Sequence, residues 1–278
     1  MTLSGVYVPL ITPFDASGAV ALDALRSLAH EVLRNGATGL VALGTTGEPG
    51  SLTPAEREAV LDVITAVCRE HEAPLLVGGD PAARPGVTGA LSLVPPFVRP
   101  GEAGVIAYFT ALAASSPVPL VVYHVPLRTG QQLTAGTLRA LAALDGVAGV
   151  KYATGALDAT AIDLLADPPP GFAVLGGDDL VISAMLALGA PGGILASAHV
   201  RTGQFAELVT AWHDGDTGRA RKLGHRLATL SAALFAEPNP AVIKGVLHAQ
   251  GRIPTAAVRL PLLAASDANV ESASGQAG

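Results

Sequence analysis

The chain holds three lysines, Lys151, Lys222 and Lys244, and they lie in different surroundings. Lys222 and Lys244 fall in helical patterns near the end, where a solvated or ion-paired ammonium is the ordinary state. Lys151 interrupts the apolar run VAGVKYA. Burying a lysine is costly unless it finds a partner or gives up its proton. A neutral amine attacks carbonyl carbons. Two readings therefore stand for Lys151: a nucleophile that forms an imine, or a lysine paired with a buried carboxylate, Glu48 or Asp178.

Other residues with chemistry to offer lie at the ends of similar apolar runs. Gly44-Thr45-Thr46-Gly47-Glu48 supplies two hydroxyls and turn N–H groups, which suit a carboxylate or an ordinary turn. Tyr123-His124 brings a phenol able to move a proton, or a packed core tyrosine. Arg128, in the loop Leu127-Arg128-Thr129-Gly130, suits a substrate carboxylate, although loop arginines are often merely solvated. Gly176-Gly177-Asp178-Asp179 closes a further run. The seven histidines show no metal-ligand spacing, so no metal is expected. There is no P-loop, no Ser-His-Asp elbow and no Gly-rich dinucleotide turn, so no cofactor is expected either.

These residues need a scaffold that brings strand ends together. Eight short runs, apolar on both faces, predict strands at 6–11, 39–44, 74–79, 90–95, 119–125, 147–152, 172–177 and 192–197. Helical patterns separate most of them, at 22–34, 54–71, 102–114, 135–144, 158–166, 179–188 and 203–214. Thr53-Pro54 with Glu56 has capping-box spacing, and Asp158 is placed to cap another helix. The pattern predicts a (β/α)8 barrel over 1–217, with active-site residues at the C-terminal strand ends. An open doubly wound sheet is the second choice. Extra helices at 218–236 and 239–250 extend the same domain to about 265, and the small polar tail 266–278 is expected to be disordered. Between strands three and four, DPAARPGVTG is too short and too rich in Pro and Gly for a full crossover helix, so that outer helix is expected to be reduced or missing.

Composition excludes several classes. Half of the residues are hydrophobic, and the net charge is −6 with the signs mixed. There is no basic stripe to suggest nucleic acid. The lone Cys68 offers no internal disulfide and favours a reducing compartment. The opening MTLSGVYVPLITPFD lacks the pattern of a signal peptide, so a cytoplasmic protein is expected. The stretch between Glu102 and Arg128 carries no charge. Ser115-Ser116-Pro117 and Pro119 break it, so it reads as helix, turn and strand rather than a membrane span.

Gly44-Thr45-Thr46-Gly47-Glu48, Tyr123-His124-Val125-Pro126, Arg128-Thr129-Gly130, Val150-Lys151-Tyr152-Ala153-Thr154-Gly155, Gly177-Asp178-Asp179 and Glu237-Pro238-Asn239-Pro240 follow one another in an order that resembles the dihydrodipicolinate synthase / N-acetylneuraminate lyase family. The resemblance runs from about residue 4 to residue 263. It implies that Lys151 forms an imine with pyruvate, that Tyr123 and Thr45 relay protons, and that Thr46 holds the keto-acid carboxylate. It also implies that Gly177 and Ile194 line the pyruvate pocket. Thr45-Thr46 and Arg128-Thr129-Gly130 are similar to the synthase branch, in which the arginine binds aspartate semialdehyde. The implied partners are a small keto acid and an aldehyde, in a homodimer or homotetramer. The resemblance also admits another Schiff-base aldolase or dehydratase, or a non-catalytic keto-acid binder. Phe97 stands where the family has a relay tyrosine, His124 where asparagine is usual, and Tyr152 where glutamate is usual. The short 80–89 segment, with Pro54, Arg57 and Pro96, lacks the side chains that bind lysine in feedback-regulated members.

Overall fold

The computed structural model describes residues 3–79 and 84–277. Eight parallel strands close into a barrel in chain order: β1 (Gly5–Pro9), β2 (Gly39–Ala42), β3 (Leu75–Gly78), β4 (Gly89–Leu93), β5 (Leu120–His124), β6 (Val147–Tyr152), β7 (Ala173–Gly176) and β8 (Gly192–Ile194). The last strand pairs with the first through Gly5–Gly192 and Tyr7–Ile194. β6 has the expected bounds, and the other seven strands end one to three residues early because their last residues turn into the loops of the barrel mouth.

Strand alternation divides the core into two clusters. Tyr7, Val41, Leu76, Leu91, Val121, Tyr123, Leu175 and Ile194 fill the barrel. Val6, Val8, Leu40, Leu75, Val122, Val150 and Val174 face outward and pack under the helices. Both faces are dry, and this is why the strands read as unbroken apolar runs.

The outer layer comprises α1 (Leu22–Arg34), α2 (Pro54–Glu70), α3 (Gly101–Ser115), α4 (Pro126–Thr129), α5 (Ala135–Ala142), α6 (Ala159–Ala166), α7 (Ile182–Ala187) and α8 (Ala198–His213). Thr53 and Glu56 form the expected capping box on α2, and the Asp158 carboxylate accepts the Ala161 N–H on α6. The helix expected from 179 is a 3-10 turn over Asp179–Val181 followed by α7. The helix expected from 203 starts five residues earlier and breaks at Arg201. In the link between β3 and β4, none of the described residues is helical. Part of the expectation for that link, 80–83, lies outside the described residues.

Beyond the barrel come α9 (Thr217–Leu234), α10 (Ala241–Ala249) and α11 (Asp267–Gln276). The tail expected to be disordered is therefore a helix, and it packs on α9 and α10. Glu237 fastens its start, taking the Ser266 N–H at 2.9 Å and the Asn269 amide at 2.7 Å. Its small residues serve close approach: Ala273 is fully buried, and a Cβ on Gly245 of α10 would stand 2.4 Å from Val270. No helix among the described residues is long and apolar enough to cross a membrane.

Candidate active site

Tyr123 and Lys151 are partners in the β5–β6 register and point into the barrel. Both are buried, and the Lys151 Nζ lies 4.6 Å from the Tyr123 ring centroid. The Lys151 stem passes over Gly177, where a Cβ would come within 2.9 Å of Lys151 Cγ and 3.0 Å of Cε. Only a glycine leaves that path open. Neither suggested carboxylate pairs with Lys151. Glu48 is bound to Lys244, and Asp178 accepts the Gly155 N–H at 2.7 Å. Burial raises the Asp178 carboxyl, against the Gly155 bond and the Lys151 charge. Its neighbour Asp179 is pushed up to about 6 by burial, and accepts the Ser197 N–H at 2.5 Å.

The turn after β2 supplies the opposite wall. Leu43 and Glu48 bracket it, and both take left-handed backbone with φ of 53°. Such residues cost about 1–3 kcal/mol each unless their surroundings hold them. Between them Thr45–Gly47 forms a 3-10 turn whose leading N–H groups have no acceptor within it. The Thr12 hydroxyl donates to Gly47 O at 2.7 Å, and the Asn239 amide donates to Thr46 Oγ1 at 2.9 Å. The Glu48 carboxylate accepts the Lys244 ammonium at 2.5 Å and the Arg259 backbone N–H at 2.9 Å. Burial pushes Lys244 down to about 8, while Glu48 pulls it back up.

All seven residues singled out in the sequence, Thr45, Thr46, Tyr123, Arg128, Lys151, Gly177 and Ile194, line one cavity of about 310 Å³. Arg128 is exposed at the mouth, on the four-residue α4 rather than a loop. A second space of about 540 Å³ shares Thr45 and Tyr123 and extends past Arg57, Leu61 and Leu93. Phe97 takes a φ of 68° and is 92% exposed. His124 is not in the cavity. It faces the helix layer, fully buried, with its ring 5.4 Å from that of Tyr152, and burial pushes it down to about 4.

Asn239 and Phe235 also line the cavity, and the sequence gave neither of them a site role; Asp178, considered there as a partner for Lys151, lines it too. The break Glu237-Pro238-Asn239-Pro240 was the available signal for Asn239. Lys244 was expected to be solvated or ion-paired. It is ion-paired, with Glu48, and is also fully buried, against Phe14 and Ala257.

The family model described as the Dihydrodipicolinate synthetase family matches residues 2–275. The chain belongs to that family. A 4-hydroxy-tetrahydrodipicolinate synthase 2 of Clostridium acetobutylicum is 34% identical over 96% of each chain. The synthase of Thermosynechococcus vestitus is 36% identical, over 95% of this chain and 92% of its own. Among solved structures, a monomeric dihydrodipicolinate synthase variant superposes with a TM-score of 0.92 at 28% identity, covering 99% of this chain and 95% of its own. The dihydrodipicolinate synthase of Acinetobacter baumannii, solved with pyruvate, gives 0.91 at 28% identity and covers 99% of each chain. This member of the dihydrodipicolinate synthetase family thus keeps the barrel whole.

Proposed function

We propose that this protein is a Schiff-base lyase that condenses pyruvate with aspartate semialdehyde, the 4-hydroxy-tetrahydrodipicolinate synthase reaction of lysine and diaminopimelate synthesis. One observation carries the reading: a buried lysine with no carboxylate at ion-pair distance among the described residues faces a small cavity beside a phenol. The Lys151 amine adds to C2 of pyruvate, and water leaves to give a protonated imine. That imine is an electron sink, so a C3 proton is removable. The resulting enamine attacks the aldehyde carbon. Tyr123, with Thr45, carries protons to and from the reacting atoms. Thr46 and the turn N–H groups take the keto-acid carboxylate, Gly177 and Ile194 shape its pocket, and Arg128 takes the carboxylate of the second substrate.

Phe97 offers no hydroxyl and favours a second reading, another Schiff-base 2-keto-acid aldolase or dehydratase whose proton route differs. A keto-acid binder without catalysis is less well supported, because binding alone needs no imine-forming lysine. The lone cysteine supports a reducing, cytoplasmic setting, and membership of the family supports a homodimer or homotetramer. We propose further that lysine does not inhibit it; a fall in turnover with millimolar lysine would overturn that. The deciding experiment is borohydride reduction with pyruvate, followed by intact mass and peptide mapping. A reduced adduct on Lys151 is expected. A folded protein without one defeats the imine reading.

A further inference from the structure

The turn proposed to hold the keto-acid carboxylate is fastened from behind by residues remote in the chain. Lys244 reaches Glu48 across 196 positions and Arg259 across 211. We propose that Lys244, acting through Glu48, is a positioning residue for the keto-acid carboxylate, which makes the C-terminal helices part of the active-site apparatus. The proposal rests on the keto-acid reading above.

Glu48 directly follows the Thr45–Gly47 turn and stands in left-handed backbone, a conformation its surroundings must hold. Its side chain is 2% exposed and that of Lys244 0%. Both carboxylate oxygens are occupied, one by the Lys244 ammonium and the other by the Arg259 N–H. Lys244 is itself fixed: it donates to Ala257 O at 2.8 Å and lies 4.1 Å over the Phe14 ring. The same helix is tied to the turn a second time. Asn239, two residues before α10, donates to Thr46 Oγ1. So α10 grips the turn on both sides of Gly47, at a hydroxyl that faces the cavity and at the carboxylate behind it.

A buried ion pair is a poor device for stability alone, because a well-packed apolar pair does as well or better. It is a good device for geometry, since it specifies direction as well as contact. Here the direction it specifies is that of the turn. The consequence is a separable effect. Loosening the pair should weaken capture of the keto acid and leave the Lys151–Tyr123 chemistry on β5 and β6 in place.

The test is the double variant Glu48→Gln with Lys244→Met, which leaves no unpaired buried charge. Two quantities are read against the parent protein: the pyruvate concentration that half-saturates borohydride trapping on Lys151, and amide hydrogen exchange in the substrate-free protein. Half-saturation should rise roughly five- to tenfold, the worth of one displaced hydrogen bond. The trapping rate at saturation should stay within about twofold. Exchange should quicken across 44–52 and stay slow across 147–152. Should the double variant not fold, Glu48→Asp keeps a carboxylate for Lys244, shortens the arm to the turn and should give a rise of about twofold. Unchanged half-saturation overturns the inference. So does a loss of trapping rate accompanied by faster exchange throughout the barrel, because that is general destabilisation. Absence of an adduct in the parent protein overturns the keto-acid reading together with the inference, whereas the other two failures leave that reading standing.

Discussion

Lys151 and Lys244 are both hidden from water, yet the molecule treats them in opposite ways. Lys244 has a carboxylate at 2.5 Å, a carbonyl at 2.8 Å and an aromatic face at 4.1 Å. Lys151 has a phenol ring at 4.6 Å and a cavity. A lysine surrounded by acceptors is held as a cation and directs structure. A lysine whose reach ends in a cavity is available to a carbonyl. Burial alone does not mark a catalytic lysine; what its nitrogen meets does.

Replacing each lysine should split the two roles cleanly. Lys151→Ala should abolish pyruvate trapping and lower turnover by about 10⁴-fold or more, as expected when a covalent nucleophile is lost. Its unfolding midpoint in urea should move little, since no ion pair is broken. Lys244→Ala should do the reverse. It leaves Glu48 buried and unpaired, which costs about 3–5 kcal/mol. That should lower the melting temperature by roughly 10 °C in a domain of this size. A Lys151→Ala protein that melts as early as Lys244→Ala would erase the contrast.

The same contrast explains what could be read in the chain beforehand. The eight strands were legible because a covered parallel barrel buries both faces of each strand. Lys151 was legible because a charge within such a run stands out. Lys244 was not, because its helix has an ordinary pattern and its partners Glu48 and Phe14 are remote in the chain. Helix α11 was illegible too: Ala273, Ala277 and Val270 read as a small polar tail until Gly245 and Glu237 gave them a surface. Asn239 escaped for a similar reason, since its partner Thr46 lies 193 residues away and meets it only when the barrel closes. The seven candidate residues lie together because each stands at or just beyond the C-terminal end of a strand, at one face of the barrel, but their distances followed from packing.

Two buried histidines extend the comparison to bases held without charge. His199 accepts the Ile11 N–H at its Nε2 and donates from Nδ1 to Ala196 O, so a second proton would face a donor. Burial pushes both His199 and His124 from the ordinary value of 6.5 down to about 4. In the unfolded chain each takes its proton as pH falls through 6.5, and in the folded protein not until about 4. Their contribution is therefore complete above pH 6.5 and lost as pH falls from 6.5 towards 4. The loss should be about 3–4 kcal/mol for each, read by urea unfolding across that range. Asp179, raised to about 6, gains stability over the same range and offsets one histidine, so His124→Asn should remove most of the net slope. An unchanged slope would mean that His124 protonates freely in the folded protein.

The smallest effect tests how closely the scaffold guides Lys151. In Gly177→Ala, the new methyl would stand 2.8 Å from Ala153 Cβ, 2.9 Å from Lys151 Cγ and 3.0 Å from Cε. The Ala153 contact can relax only through backbone, so the flexible lysine stem should give way first. The backbone shift that relieves Ala153 should cost about 1–3 kcal/mol of stability. The trapping rate at saturating pyruvate should fall roughly tenfold, because the displaced amine approaches C2 less often in line. Half-saturation should rise less than the rate falls, by about twofold, since Gly177 lines the pocket while the Thr45–Thr46 turn is untouched. That pattern, rate more than affinity, is the mirror of the one expected for Glu48 and Lys244. A Gly177→Ala protein that keeps its trapping rate would show that the Lys151 stem has room to spare, and that the close pass over Gly177 does not aim the amine.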